Sequence, residues 1–349
     1  MTNYIIKRLL LIIPTLLGII TLNFFIIQLS PGGPVEQLIN KIEDSSITGQ
    51  ETITQKHDSL YRGDKGLDNK AVEEIKKLYG FDKPIYERYL LLLKQYLTFD
   101  LGKSYFRDIS VVDLIIEKMP VSISLGVFST LIIYLIGIPL GIFKARADGS
   151  RFDVVSSILI VVANSIPVFL FGIILILFFA SGVYFDWFPL KGLVGPDFEE
   201  LGFFGKIGDY IHHIFLPVIT ISLGGFATLV LLVKNSFIEE FHKYYVTYAR
   251  IKGVSESRVL YRHVFRNAML LVIASFPAVF LGMFFTGSFL VEVIFSLDGL
   301  GLLGYDSLIY RDYPTVFGSL YVFTLLGLVL AIISDLIYVL VDPRIHFDK

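Results

Sequence analysis

The sequence predicts an all-α integral membrane protein with six transmembrane helices, both termini cytoplasmic, and an extracytoplasmic insertion after the first helix. Three observations carry this. Residues of hydrophobic type make up 54% of the 349, charged ones only 18%, and the mean hydropathy is +0.68. A water-soluble chain of this length cannot hide so much apolar surface. Six apolar runs approach or exceed the roughly 20 residues needed to cross a bilayer. The Lys and Arg residues are sorted onto alternate loops.

The runs are Leu9–Leu29, Val121–Phe143, Val154–Tyr184, Ile214–Val233, Met269–Leu290 and Val316–Val341. Lys7 and Arg8 precede the first, which resembles a signal peptide at that end only. It is longer than the roughly 7–15 residues of a signal core and ends in Ser30-Pro31-Gly32-Gly33-Pro34, so it is expected to stay as an anchor. The third run is too long for a straight crossing. Pro167 is expected to kink it, or its tail to lie at the interface, where Tyr184, Phe185, Trp187 and Phe188 suit an aromatic belt.

Orientation follows from charge. Lys7 and Arg8, Lys144, Arg146 and Arg151, the seven basic residues from Lys234 to Arg266, and Arg344 and Lys349 fall on one side. Only Lys191, Lys206 and Arg311 occupy the opposite short loops, so the richer side is expected to be cytoplasmic. The organisation is then residues 1–29 with the first span, 30–120 as an extracytoplasmic region, and 121–349 as a five-helix core. In the extracytoplasmic region, 42–69 has little periodicity, Ala71 to Tyr79 looks helical, and Pro84 opens a Leu-spaced helix over Ile85 to Leu97. No internal repeat is evident, so a pore would need a second subunit.

Between the fourth and fifth spans lies the one long polar interruption of the core, 237–267. It reads as two short helices hinged at Gly253, with Phe237, Phe241, Tyr245, Tyr248 and Ile251 on one face. Gly253 suits the left-handed residue that ends a helix, and Ser255 suits an N-cap. An aromatic stripe of this kind needs a surface to bury it.

Several chemistries find no support. Cysteine is absent, which removes thiol catalysis and disulfides. His212 and His213 are adjacent, hence about 100° apart on a helix and poorly placed to share a metal. Gly299-Leu300-Gly301-Leu302-Leu303-Gly304 fits G-x-G-x-x-G, but without the strand–turn–helix setting of a dinucleotide site; close backbone packing in an external turn is the expected role. Gly102-Lys103-Ser104 lacks the leading glycine of a P-loop. No metal, cofactor or nucleic acid site is expected in this chain. Asp335, inside the sixth span, and Glu292, at the outer end of the fifth, belong either to a translocation path or to interhelical packing. Asn23, Gln28, Asn164, Ser165 and Ser275 pose the same choice.

The motifs together resemble a known family. Thr247-Tyr248-Ala249, Gly253 and His263-Val264-Phe265-Arg266 half match the EAA loop of permease subunits of binding-protein-dependent ABC importers. The oligopeptide/dipeptide branch fits better: Ala249-Arg250-Ile251-Lys252-Gly253 and Arg262-His263-Val264-Phe265-Arg266-Asn267-Ala268 resemble its TARAKG and RHxxRNA, with Tyr248 an insertion-like difference. Tyr79 to Pro84, Asp100-Leu101-Gly102 with Ser104, Glu292 to Phe295, Arg311-Asp312-Tyr313-Pro314 and Asp342-Pro343-Arg344 extend the likeness along most of the chain. The long insertion near 41–72 resembles the Yej type, whose family imports short peptides and microcin C. The resemblance implies a second homologous permease, one fused or two separate ATP-binding subunits holding ATP and Mg, and an extracytoplasmic solute-binding protein. It further implies an inner-membrane location and no catalysis in this chain. The implied ATPase-coupling residues are Phe241, Tyr245, Tyr248, Ala249, Lys252, Gly253, Val254 and Ser255. The same architecture serving another solute, such as nickel chelates or opines, is an alternative. A self-sufficient channel or carrier is a second, though the scarcity of ionisable residues within the spans argues against it.

Overall fold

A computed structural model describes residues 2–29, 83–282 and 288–341. The expected irregular stretch 42–69, the helix over Ala71 to Tyr79 and the motif at Asp342 lie outside the described residues. Regular structure among the described residues is helical, the one β feature being a bridge between Lys103 and Ser110. The helices are α1 (Thr2–Leu29), α2 (Ile85–Leu97), α3 (Val111–Arg146), α4 (Arg151–Asn164), α5 (Val168–Phe179), α6 (Phe203–Phe241), α7 (Tyr244–Ile251), α8 (Glu256–Val259), α9 (Phe265–Gly282), α10 (Ser288–Ile294), α11 (Leu300–Ile309) and α12 (Tyr313–Val341). A π-helical turn, Leu260–Val264, joins α8 to α9. Five helices are long and apolar enough to cross a membrane, or six if α4 and α5 form one crossing.

The chain divides into two compact units. The first comprises Leu9–Leu114 with Ser307–Thr324. Here two motif segments far apart in sequence meet. Buried Asp312 accepts from Ser104 Oγ at 2.6 Å, Tyr105 N–H at 3.1 Å and Thr315 Oγ1 at 2.8 Å. A carboxylate with three donors needs no metal to be satisfied. Helix α2 has the expected bounds, set by Pro84 in extended conformation at its start. Its Tyr96 is buried edge-on against Tyr321, 5.2 Å between ring centroids.

The second unit is Met1–Arg8, Ile115–Asp306 and Leu325–Lys349, and it is built around α6. At 39 residues α6 is about 58 Å long, far more than one span, and extends the expected Ile214–Val233 at both ends. Small residues let its neighbours approach closely. A Cβ on Gly141 of α3 would lie 2.7 Å from Val233 Cβ, and one on Gly172 of α5 would lie 3.0 Å from Thr220 Cγ2.

The expected third span, Val154–Tyr184, is more than kinked. It is broken: α4 and α5 diverge by 92° across Ser165-Ile166-Pro167. Pro167 has no amide to continue the helix and takes the N-cap position of α5. Asp153 at the start of α4 meets Lys234 of α6 at 2.7 Å. Beyond α5, the Trp187 carbonyl lies 2.6 Å from His212 Nε2, and Phe188 stacks on Phe215. The two ends of the broken pair therefore reach opposite ends of the apolar stretch of α6.

Candidate functional site

The segment between α6 and α9 differs from the expected pair of helices. Phe237 and Phe241 still belong to α6, which ends at Phe241. Lys243, in extended conformation, starts α7 in a new direction. The expected single stripe is thus split. Phe237 is fully buried against Phe265, with ring centroids 6.0 Å apart, and Phe241 packs against the same core. No breaker residue marks His242-Lys243, which is why the discontinuity is invisible to periodicity.

Helix α7 has its own two faces. Val246 and Ala249, three apart, are buried; Tyr244, Tyr248 and Ile251, at the same kind of spacing, are exposed. Tyr244 is 95% exposed, an extreme value for an aromatic residue. With Tyr245 and Thr247 these side chains line a shallow open depression of about 450 Å³. Tyr244 and Ile251 are absent from the expected coupling set. Ile251 lies on the expected stripe; Tyr244 lies off it, because the helix starts at 244 rather than 237.

The turn after α7 is a Schellman motif. Val254 N–H reaches Ala249 O at 3.2 Å, Gly253 N–H reaches Arg250 O at 2.9 Å, and Gly253 has φ +76°. Val254 is half-buried, as the apolar contact of that motif requires. Ser255 occupies the expected N-cap position, but its hydroxyl makes no capping bond. Across the turn, Arg250 grips Glu256 with Nε and Nη2, at 2.9 and 3.2 Å. Lys252 Nζ lies 4.5 Å above the Tyr248 ring.

The base of the hairpin is fastened by Tyr245. Its hydroxyl donates to Glu240, and Asn267 Nδ2 donates to both Glu240 Oε1 and Tyr245 Oη at 3.0 Å. Burial and the Glu240 carboxylate push the phenol up to about 12, so it remains a donor at neutral pH. Of the eight expected residues, Tyr248, Lys252, Gly253 and Ser255 face outward, and Phe241, Ala249 and Val254 pack inward. Tyr245 sits between, with its ring at the rim and its hydroxyl in the network.

Sequence reasoning missed a second constellation. Lys144, which the sequence presents as a loop charge, is completely buried at the end of α3. Its ammonium donates to Asp153 O at 2.8 Å, Ser156 Oγ at 2.6 Å and Ser157 Oγ at 2.8 Å, and stands 3.0 Å from Asp153 Oδ1. Lys234 pairs with Asp153 and, at 3.0 Å, with Asp148. The cluster bolts α3, α4 and α6 together. Lys144, Asp148, Asp153, Ser156 and Ser157 fall within one short stretch and Lys234 lies far from them, with no known motif to signal the set.

Glu292 and Asp335 both have polar partners within the chain. Glu292 is fully buried and accepts from Ser122 Oγ at 3.1 Å and Leu302 N–H at 2.7 Å. The first glycine of the G-x-G-x-x-G match packs on it: a Cβ on Gly299 would lie 2.5 Å from the Glu292 carboxyl carbon. Gly299→Ala is therefore expected to destabilise the protein by about 2–4 kcal/mol, the sum of overpacking and a disturbed buried carboxylate. Thermal unfolding in detergent checks this, with Gly304→Ala, where a Cβ meets nothing within 4 Å, as the neutral control. Asp335 pairs with Arg8 Nε at 3.1 Å, between α12 and α1. Among the described residues no group of three or more His, Asp or Glu could hold a metal.

Residues 137–347 match the family described as the binding-protein-dependent transport system inner membrane component. Over the whole of both chains, the sequence is 57% identical to the inner membrane ABC transporter permease protein YejB of Escherichia coli O157:H7. It is 52% identical to the peptidoglycan transport system permease protein YejB of Agrobacterium fabrum, covering 100% of this chain and 99% of the other. The oligopeptide transport system permease protein AppB of Bacillus subtilis is 32% identical over 99% of this chain and 100% of its own. The chain belongs to the inner-membrane permeases of binding-protein-dependent ABC importers, in the oligopeptide/dipeptide branch and on its Yej-type side.

Proposed function

We propose that this chain is one of two related permease subunits of an ATP-driven importer of short peptides, with microcin C-like peptides among its cargo. What carries the reading is the end-to-end likeness to Yej-type and oligopeptide permeases together with an aromatic helix face that this chain leaves uncovered. Six crossings with both ends cytoplasmic fit the loop charges, if α4 and α5 count as one broken crossing. The region 30–120 is then the extracytoplasmic insertion, where a solute-binding protein delivers cargo.

The exposed face of α7, Tyr244, Tyr248 and Ile251, seats in a groove on a partner ATPase, which binds ATP and Mg; helix-in-groove docking buries such a face. Lys252, Gly253 and Ser255 form the tip. Phe241, Ala249 and Val254 act from within by holding the helix at its angle. Closure of the ATPases moves the hairpin and the spans attached to it, giving alternating access.

The test is ATP-dependent uptake of defined short peptides by the complex reconstituted with its binding protein. A chain that transports alone, without an ATPase, would refute the assignment. Within it, Gly253→Val is expected to cut uptake about tenfold or more, because a β-branched residue resists positive φ, while Gly253→Asn keeps most of it. The open space around Gly253 means that conformation, not clash, is responsible. Equal uptake by the two variants would remove the turn from the mechanism.

A further inference from the structure

The break between α4 and α5 lies at a depth where a membrane helix has most reason to stay intact. A Cβ on Gly224 would lie 3.1 Å from Val168 Cγ2, so the first residue of α5 packs at the level of Gly224. Gly224 is at the centre of the apolar stretch Ile214–Val233. From there to Lys234, which pairs with Asp153, α6 rises about 15 Å, half the hydrocarbon thickness. Helix α4 spans the same half and stops at the middle.

At that point the chain exposes Asn164, Ser165, Ile166 and Pro167. Among the described residues nothing donates to the carbonyls of Ser165 and Ile166, and the Asn164 carboxamide makes no hydrogen bond. The Ser165 hydroxyl gives its proton to Val161 O at 2.9 Å but keeps its lone pairs. Hydrocarbon cannot satisfy such groups; irregular backbone at this depth is tolerated where it is buried in protein or lines a water-filled cavity, and this chain itself leaves 164–167 exposed. In transporters, broken helices of this kind frame cargo sites near the midplane.

We propose that the break is a wall of the aqueous path, where the Asn164 carboxamide and the Ser165 and Ile166 carbonyls hydrogen-bond the main chain of an extended peptide in transit. The peptide part of this rests on the peptide-importer reading. The chemistry fits: free carbonyls accept from peptide amides, and a carboxamide both accepts and donates, so the contact reads no side chain. Few bonds, bordered by apolar Ile166 and Pro167, hold cargo loosely enough to pass on.

The cysteine-free sequence makes the test direct. Asn164→Cys, Ser165→Cys and Leu159→Cys are introduced singly into the assembled transporter; Leu159 is an exposed apolar residue of α4. Modification by a membrane-impermeant methanethiosulfonate is followed by the mass of this chain, without nucleotide and with ATP trapped. Asn164→Cys and Ser165→Cys are expected to react at least about tenfold faster than Leu159→Cys, being wetted rather than lipid-facing. Transported peptide should slow them several-fold. Reaction at the Leu159→Cys rate in both states overturns the proposal, since the break then faces lipid or a sealing partner. Fast labelling that a transported peptide fails to slow overturns the peptide contact. Fast labelling in a complex that transports no peptide leaves the wetted wall standing and removes the peptide-importer reading instead.

Discussion

Asp153→Asn is expected to destabilise the permease by about 3–5 kcal/mol, the range for breaking a buried ion pair by removing one partner. The substitution leaves Lys144, with no exposed surface, and Lys234, nearly buried, with a neutral amide between them. Lys144→Met should do less harm, because Asp153 keeps Lys234 and the Gly149 amide. A methionine also fills the space of the lysine stem. Combining the two replaces a charge cluster by a mostly neutral one, so the double variant should be more stable than Asp153→Asn alone. Unfolding midpoints of the four proteins in detergent give the coupling directly. Additive losses would mean that the close contact contributes nothing. The cluster stands where α4 meets the long α6, so its failure should also loosen the packing of α4.

The second large effect is expected at the exposed face of α7. Tyr244→Glu together with Tyr248→Glu should reduce uptake to a few per cent, with the permease still folded and in the membrane. Neither ring supports the fold: Tyr244 is almost wholly exposed and Tyr248 largely so. In a docked groove both become aromatic anchors, each worth about 2 kcal/mol or more, and a carboxylate there adds a desolvation penalty. Together these weaken ATPase association by roughly a thousandfold, at about 1.4 kcal/mol per tenfold. Co-purification of the ATPase with the permease measures it. The contrast is Val246→Glu, which puts a charge into the buried face and should lose the fold itself. Retained ATPase binding in the double glutamate variant would place the docking surface elsewhere.

These two sites differ in how far the sequence reveals them. The tip of the hairpin is legible: Gly253 takes the positive φ that its position predicts, because few other residues tolerate it. Helix α2 is legible to the residue from Pro84 and the spacing of its leucines. The face of α7 is only half legible, since an unbroken helical period runs through His242-Lys243 and merges two helices into one. The Lys144–Asp153–Lys234 cluster is not legible at all. Basic residues at the ends of apolar runs look like loop charges, and only the packing of α3, α4 and α6 turns two of them inward. Pro167 announces an interruption, but a proline alone does not distinguish a bend of a few tens of degrees from a right-angle break.

The π-helical turn at Leu260–Val264 makes the two arms of the hairpin unlike. Helix α8, the π turn and α9 run on without a gap from Glu256 to Gly282, so one arm is a single shaft fixed to its span. The other arm, α7, leaves α6 at the bend at His242-Lys243 and is tied back to it by the Tyr245–Glu240 hydrogen bond. On the proposed docking at the tip, a push there would act on α9 directly through this shaft, and on α6 through the bend and the Tyr245 hydroxyl. A π turn is one residue inserted into an α-helix, and each residue rotates the downstream helix by about 100°. The extra residue thus sets the direction in which α8 leaves α9, and a one-residue deletion there would re-aim that arm by about 100°.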